Sequence, residues 1–155
     1  MINIRDLKIG SYLKCKVSND AAAYSVIAID GWHQKVMLSD VRMGTWYTVD
    51  KLKPIPLSEE ILLDNEFAKK DKDQTLGVIY ERVYTREFDK DDVRVFVGKL
   101  QSDPKKMWYF GTGFSAINNI YYVHELQKFL DAATRNTLDI NLYTILRKIS
   151  PSISK

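Results

Sequence analysis

Short segments with the two-residue period of a β-strand fill the first 57 residues of the chain. Residues 12–17, 24–29, 36–38 and 45–49 are rich in strand-forming side chains, and turn-forming residues separate them. Four or five strands joined by loops of about 4–7 residues are typical of a small closed sheet. A closed sheet also removes the edges that invite aggregation. We therefore predict an SH3-like β-barrel over residues 1–57.

The end of this segment carries signals for a helix. Pro54 and Pro56 interrupt the strand pattern, because proline cannot donate a hydrogen bond to a sheet. Ser58 can cap a helix, and the acidic residues after it complement the positive end of the helix dipole. The sequence predicts a helix near residues 58–69, ending in the charged run 69–73, which we interpret as a solvated turn.

The rest of the chain predicts a second sheet and a second helix. Strand patterns recur over residues 75–117, where Val93, Val95 and Val97 share one face, and a polar connection occupies residues 87–92. Residues 121–134 carry an apolar stripe at helical spacing. A last strand is predicted at 138–142, followed by a frayed end. The expected fold is α+β: the barrel at 1–57, and an α+β subdomain at 58–155 packed against it, with a small antiparallel sheet and two helices.

Charge and composition exclude several classes of protein. The net charge of +3 divides into +3 for residues 1–57, −4 for 58–103 and +4 for 104–155, so nucleic-acid binding is neither favoured nor excluded. A single cysteine, Cys15, excludes an intrachain disulfide and a zinc site built on cysteines. No apolar run reaches the roughly 18 residues of a membrane span. Arg5 and Asp6 interrupt the N-terminus where a signal peptide would be apolar. We expect a cytoplasmic protein.

The motifs that suggest catalysis lack the context that catalysis needs. The run Gly111-Thr112-Gly113-Phe114-Ser115-Ala116 fits a dinucleotide-binding pattern, but no helix follows it directly, which favours a glycine-rich β-turn or bulge. A nucleophilic Cys15 would need His33 or His124 as its base. The acidic runs at 71–73 and 89–92 lack the glycine and glutamate of a calcium loop. We predict no enzyme activity, no cofactor and no metal.

Aromatic residues of the first segment form the candidate binding surface. Trp32, Trp46 and Tyr47 lie in or beside predicted turns, and Lys35 belongs to the same segment. Rings next to cations suit a peptide in an aromatic groove, and they equally suit the stacked bases of single-stranded nucleic acid. The alternative is that these rings fill the small core.

Two further segments resemble a known family. The segments KPIPLSEEILLDNEF (residues 53–67) and YYVHELQKFL (residues 121–130) resemble a family of small uncharacterised proteins of gut anaerobic bacteria and of their phages and mobile elements. The resemblance implies a bacterial or phage origin, and it implies no activity, cofactor or site residue.

These observations order the functional hypotheses. The first is a non-enzymatic protein-interaction module of phage or mobile-element origin, whose partner is a protein. The second is a small barrel that binds nucleic acid, and the third is an enzyme of unrecognised type. Nothing indicates membrane association. The sequence leaves the identity of the partner and the oligomeric state open.

Overall fold

The chain forms an α+β structure with two antiparallel sheets of five strands each and two α-helices, as a computed structural model shows. The structure describes residues 2–16, 22–39, 44–73, 77–86, 91–99, 107–112 and 115–134, without the side chains of 71–73 and 115–117. Two compact units divide the described chain. The first comprises residues 2–56 and Tyr122–Lys128, and the second comprises Leu57–Tyr121 and residues 129–134. The predicted α+β class is confirmed.

The first unit contains a sheet of strand order β4-β3-β2-β1-β5. Its strands are β1 (Tyr12–Cys15), β2 (Ala23–Asp30), β3 (Lys35–Leu38), β4 (Trp46–Thr48) and β5 (Leu52–Pro54), with short 3-10 helices at Ile4–Asp6 and Val49–Lys51. Residues 23–25 of β2 pair with β1, and residues 26–30 pair with β3, with an irregularity between Val26 and Ala28. The inward side chains form one core: Ile2, Ile4, Leu7, Leu13, Cys15, Val26, Val36, Leu38 and Leu52.

The predicted closed barrel is not what the described residues form. Strands β4 and β5 lie at the two edges of the sheet and are not paired with each other. Each has only three residues, so neither offers a long edge for closure. Pro54 lies within β5 rather than ending the sheet, because an edge strand tolerates a residue without an N–H.

The second unit begins with α1 (Glu59–Asp64) and continues as an antiparallel meander of order β10-β9-β8-β7-β6. Its strands are β6 (Ala68–Asp73), β7 (Gly77–Thr85), β8 (Asp92–Lys99), β9 (Trp108–Thr112) and β10 (Ser115–Ile120). Val95 and Val97 are fully buried on one face of β8, as their alternation predicts. Strands β9 and β10 flank the glycine motif, so a strand and not a helix follows it.

Two predictions for this region are wrong. Helix α1 starts at the predicted Ser58 cap, but it ends at Asp64 instead of residue 69. The side chain of Asn65 donates to Ile61 O at 2.7 Å, and Glu66 adopts a left-handed φ of 63°. The charged run that we interpreted as a turn then forms β6, an edge strand. Its lysines suit an edge, where charge opposes pairing with another chain.

Helix α2 (Val123–Thr134) contributes to both units. Val123, Leu126 and Leu130 of the predicted stripe are buried. The first turn is attached within the first unit, because Val123 N donates to Ile55 O at 2.9 Å and Tyr122 forms a β-bridge with Pro56. The strand predicted at 138–142 and the frayed end lie outside the described residues.

Candidate functional site

The turn between β2 and β3 is fixed by the carboxylate of Asp30. This carboxylate accepts hydrogen bonds from the backbone N–H of Trp32 at 3.1 Å and of His33 at 3.0 Å, and it lies 2.6 Å from His33 Nδ1. The backbone and side-chain hydrogen bonds of His33 hold the pKa of Asp30 below its usual value. The amide of Gln34 closes the turn by donating to Gly31 O at 2.8 Å.

Trp32 projects from this fixed turn into solvent, with 90% of its surface exposed. Tryptophan is normally among the more buried residues of a folded protein. The local hydrogen bonds use the backbone of Trp32 and none of its ring. The turn therefore presents a large apolar ring in a defined backbone conformation.

Lys35 and Trp46 extend this exposed region along the sheet. Lys35 begins β3 directly after the turn, and Trp46 pairs with Met37, two residues further on. Because residues two apart on a strand share a face, Lys35 and Trp46 lie on the same outer face. Trp46 is 43% exposed. We call Trp32, Lys35 and Trp46 the hairpin surface.

Tyr47 lies on the other face of β4. It pairs with the buried Val36 and packs against the core of the first unit. Of the four residues that the sequence groups as a candidate surface, the structure thus brings three to the outside and places Tyr47 inside. Consecutive residues of a strand point to opposite faces, and this rule could have separated Trp46 from Tyr47 at the sequence level. Arg42 lies outside the described residues.

The residues considered for catalysis do not meet in either cleft that the second unit contains. One cleft of about 420 Å³ has an apolar wall that includes the stacked rings of Phe110 and Phe129. The other, of about 320 Å³, is lined mainly by charged side chains between β6 and β7. Cys15, His33 and His124 line neither cleft. Cys15 is only 6% exposed, and the described residues contain no group of three or more potential metal ligands.

Arg86 is the polar residue of the apolar cleft that the sequence analysis did not single out. Its Nη2 contacts Asp91 Oδ2 at 2.9 Å, and its backbone N–H donates to Asp91 O. This pairing spends part of the charge of the guanidinium inside the protein. The cleft therefore offers mainly an apolar surface to a ligand.

Compared with protein-family models, with curated proteins and with solved structures, the chain matches none of them. In the part of the chain that the structure describes, no helix has both the length and the apolar character needed to cross a membrane.

His124 differs from its sequence-based interpretation as a surface or hydrogen-bonded residue. It is 3% exposed, and its ring stacks on Tyr122 at a centroid distance of 5.8 Å. Among the described residues, its Nδ1 has no hydrogen-bond partner. Burial lowers the pKa of His124 and Lys128 acts in the same direction, while Glu125 and Asp6 oppose the shift.

This burial predicts a loss of stability in mild acid. The unfolded chain binds the proton of His124 at its ordinary pKa of about 6.5, whereas the folded state resists protonation. The free energy of unfolding should therefore fall as the pH drops below about 6.5 towards the lowered pKa of the folded state. Urea unfolding between pH 7.5 and 5 measures this loss. His124→Asn should reduce it, and His33→Asn, at the exposed histidine, should leave it unchanged. Equal effects of both substitutions would contradict the assignment.

Proposed function

We propose that the chain is a non-enzymatic interaction module that binds another protein through the hairpin surface. The observation that carries this proposal is Trp32, 90% exposed on a turn that Asp30 fixes. Tryptophan is enriched among the residues that dominate binding energy at protein interfaces. A turn that is already ordered loses less conformational entropy on binding, which favours affinity.

The topology of the first unit supports a finer assignment, an open relative of the SH3-like barrel. The pairing of β2 is divided between β1 and β3 at an irregularity, as expected where one long strand bends between two half-sheets. A 3-10 helix precedes the last strand, β5, which returns to pair with β1. Small barrels of this kind bind peptides in aromatic-lined grooves. Together with the resemblance noted above, this assignment places the chain in our proposal among cytoplasmic proteins of phage or mobile-element origin.

Photo-cross-linking tests the proposal directly. The full chain is expressed in its native host with a benzophenone amino acid in place of Trp32, and a matched chain carries the group at Val83, which is 49% exposed on β7. Position 32 should give a discrete adduct that protease destroys and nuclease does not, and position 83 should give none of the same mass. No specific adduct at position 32, or a nuclease-sensitive one, would contradict protein binding there.

Competition gives the magnitude. Unlabelled wild-type chain should suppress the adduct, and Trp32→Ala should require at least about 30-fold more protein, because an interface hot spot contributes about 2 kcal/mol or more. Leu63→Ala, at a residue of the second unit that is 46% exposed, is the control and should compete like the wild type. Equal competition by Trp32→Ala would show that the indole does not bind the partner.

Nucleic-acid binding is the second candidate function, because a specific pair of lysines on another part of the first unit favours it.

A further inference from the structure

Two lysines lie directly opposite each other on neighbouring strands of the first unit. Lys14 of β1 pairs with Lys53 of β5, and the residues on either side of this pair, Leu13, Cys15 and Leu52, face the core. Lys14 and Lys53 therefore point to the outer face of the sheet. Directly opposed side chains have Cβ atoms about 4.5–5.5 Å apart, and like charges at that spacing destabilise a sheet.

Within the described part of the chain, no carboxylate is paired with Lys14 or Lys53. The same end of the sheet carries two further lysines, because Lys16 N donates to Lys51 O at 2.8 Å, one residue beyond the paired positions. Asp50 is the acidic residue beside them. Its carboxylate lies 3.5 Å from Lys51 Nζ, and its backbone carbonyl accepts from Lys16 Nζ at 2.5 Å. Four lysines thus share one carboxylate. We call Lys14, Lys16, Lys51 and Lys53 the lysine face.

The surrounding charge also favours an anionic partner. The described residues of the first unit include eight Lys and Arg against four Asp and Glu, a net charge of +4, whereas those of the second unit give seven against ten, a net −3. A positive field of this kind attracts polyanions and accelerates their encounter. The pair Lys14–Lys53 therefore lies in the unit whose overall field reinforces it.

We propose that the lysine face binds the phosphate backbone of single-stranded nucleic acid. The pairing of Lys14 with Lys53 carries the proposal, because an anion between two opposed ammonium groups relieves their repulsion. The face is an open strand surface and presents no helix that could enter a duplex groove. Tyr12 precedes Lys14 by two residues on the same face of β1, beside the small side chain of Ser25. An aromatic ring next to cations is the arrangement on which bases stack. This surface is separate in sequence from the hairpin surface, and the proposal goes beyond protein binding.

Fluorescence anisotropy with a labelled 20-nucleotide oligothymidylate measures the binding. Four neutralised phosphates give a slope of about −2.8 in log K against log salt concentration, so raising the salt from 50 to 200 mM should weaken binding about 50-fold. Absence of binding at 50 mM salt would overturn the proposal. So would tighter binding to a duplex of the same length, or binding to phosphatidylserine vesicles in place of the oligonucleotide.

Lys53→Glu is the decisive variant, because it should move affinity and stability in opposite directions. The new carboxylate neutralises Lys14, so two of the four cations are lost and the salt effect should fall to about 7-fold. Affinity at 50 mM salt should drop at least tenfold. The opposed pair becomes attractive, and Tm should rise by about 1–3 °C. A variant that binds less but melts higher has not lost affinity by unfolding.

Lys35→Glu is the matched control. It makes the same change in net charge in the same unit, but on the hairpin surface. It should leave the affinity for the oligonucleotide within about threefold of the wild type, since only distant charge is altered. An equal loss with Lys35→Glu and Lys53→Glu would show that total charge, and not the lysine face, determines binding. A larger loss with Lys35→Glu would place the nucleic acid on the hairpin surface and overturn the proposal.

Discussion

Replacement of Gln127 by alanine should lower the free energy of unfolding of the first unit by about 2–4 kcal/mol. Gln127 is fully buried on α2, and its amide joins two backbone groups that precede or begin β1. Its Oε1 accepts from Tyr12 N at 3.0 Å, and its Nε2 donates to Gly10 O at 2.9 Å. The substitution leaves both groups without this partner, and each such loss costs about 1–3 kcal/mol. Truncation also opens a cavity beside them.

Cys15 provides a measurement that reports on this unit alone. It is the single cysteine of the chain and is 6% exposed, so a thiol reagent reaches it only when the first unit opens. The rate of Cys15 labelling in native buffer should therefore rise steeply in Gln127→Ala, in step with the urea midpoint. Labelling at the wild-type rate would contradict the structural role of Gln127.

Two controls separate the causes of this loss. Gln127→Met retains most of the side-chain volume but neither hydrogen bond, so it should recover the cavity contribution only. Lys128→Ala removes the neighbouring ion pair with Asp6, whose 2.7 Å contact is exposed to solvent on both sides. An exposed pair contributes no more than about 1 kcal/mol. A loss in Lys128→Ala as large as that in Gln127→Ala would show that the helix as a whole, and not the amide, is responsible.

Local patterns predict the elements whose side chains alternate or repeat. Strands β1 to β4 and helix α2 lie within about two residues of their predicted positions, because one buried face imposes the period on the sequence. Strand β6 was missed since it lies at an edge. A charged edge strand has no buried alternation, and its lysines are matched by residues of other elements: Lys69 with Glu59 at 2.6 Å, and Lys70 with Glu81 at 3.6 Å.

The candidate sites depend on pairings that no local pattern records. The contact of Gln127 with Tyr12 spans 115 positions of sequence, and a glutamine on the flank of an apolar helix stripe looks like a solvated residue. The lysine face depends in the same way on the register that sets Lys14 opposite Lys53. In contrast, the exposure of Trp32 follows from its place in an Asp-Gly turn, which is a local signal and was sufficient to select it.

The second large effect concerns Trp108, the most enclosed of the three tryptophans. It is 6% exposed on β9, and its Nε1 donates to Leu57 O at 3.1 Å, immediately before the Ser58 cap of α1. The ring packs edge-on against Tyr80 at 5.8 Å, and Lys99 Nζ lies 4.0 Å from its centroid. This one side chain therefore links the start of α1 to three strands of the second sheet.

Trp108→Ala should cost about 3–5 kcal/mol of stability in the second unit, since it removes both the ring contacts and the hydrogen bond. Trp108→Phe retains an aromatic ring but leaves Leu57 O without its donor, so it should cost about 1–3 kcal/mol. Trp32→Ala is the matched control: it removes the same side chain from a position 90% exposed, and it should change the free energy of unfolding by less than about 0.5 kcal/mol. Denaturation by guanidinium, followed by circular dichroism, measures all three. If Trp108→Phe lost as much as Trp108→Ala, the hydrogen bond to Leu57 would outweigh the packing of the ring. If Trp32→Ala matched either of them, the exposed indole would be supporting the fold, and its availability to a partner would no longer follow.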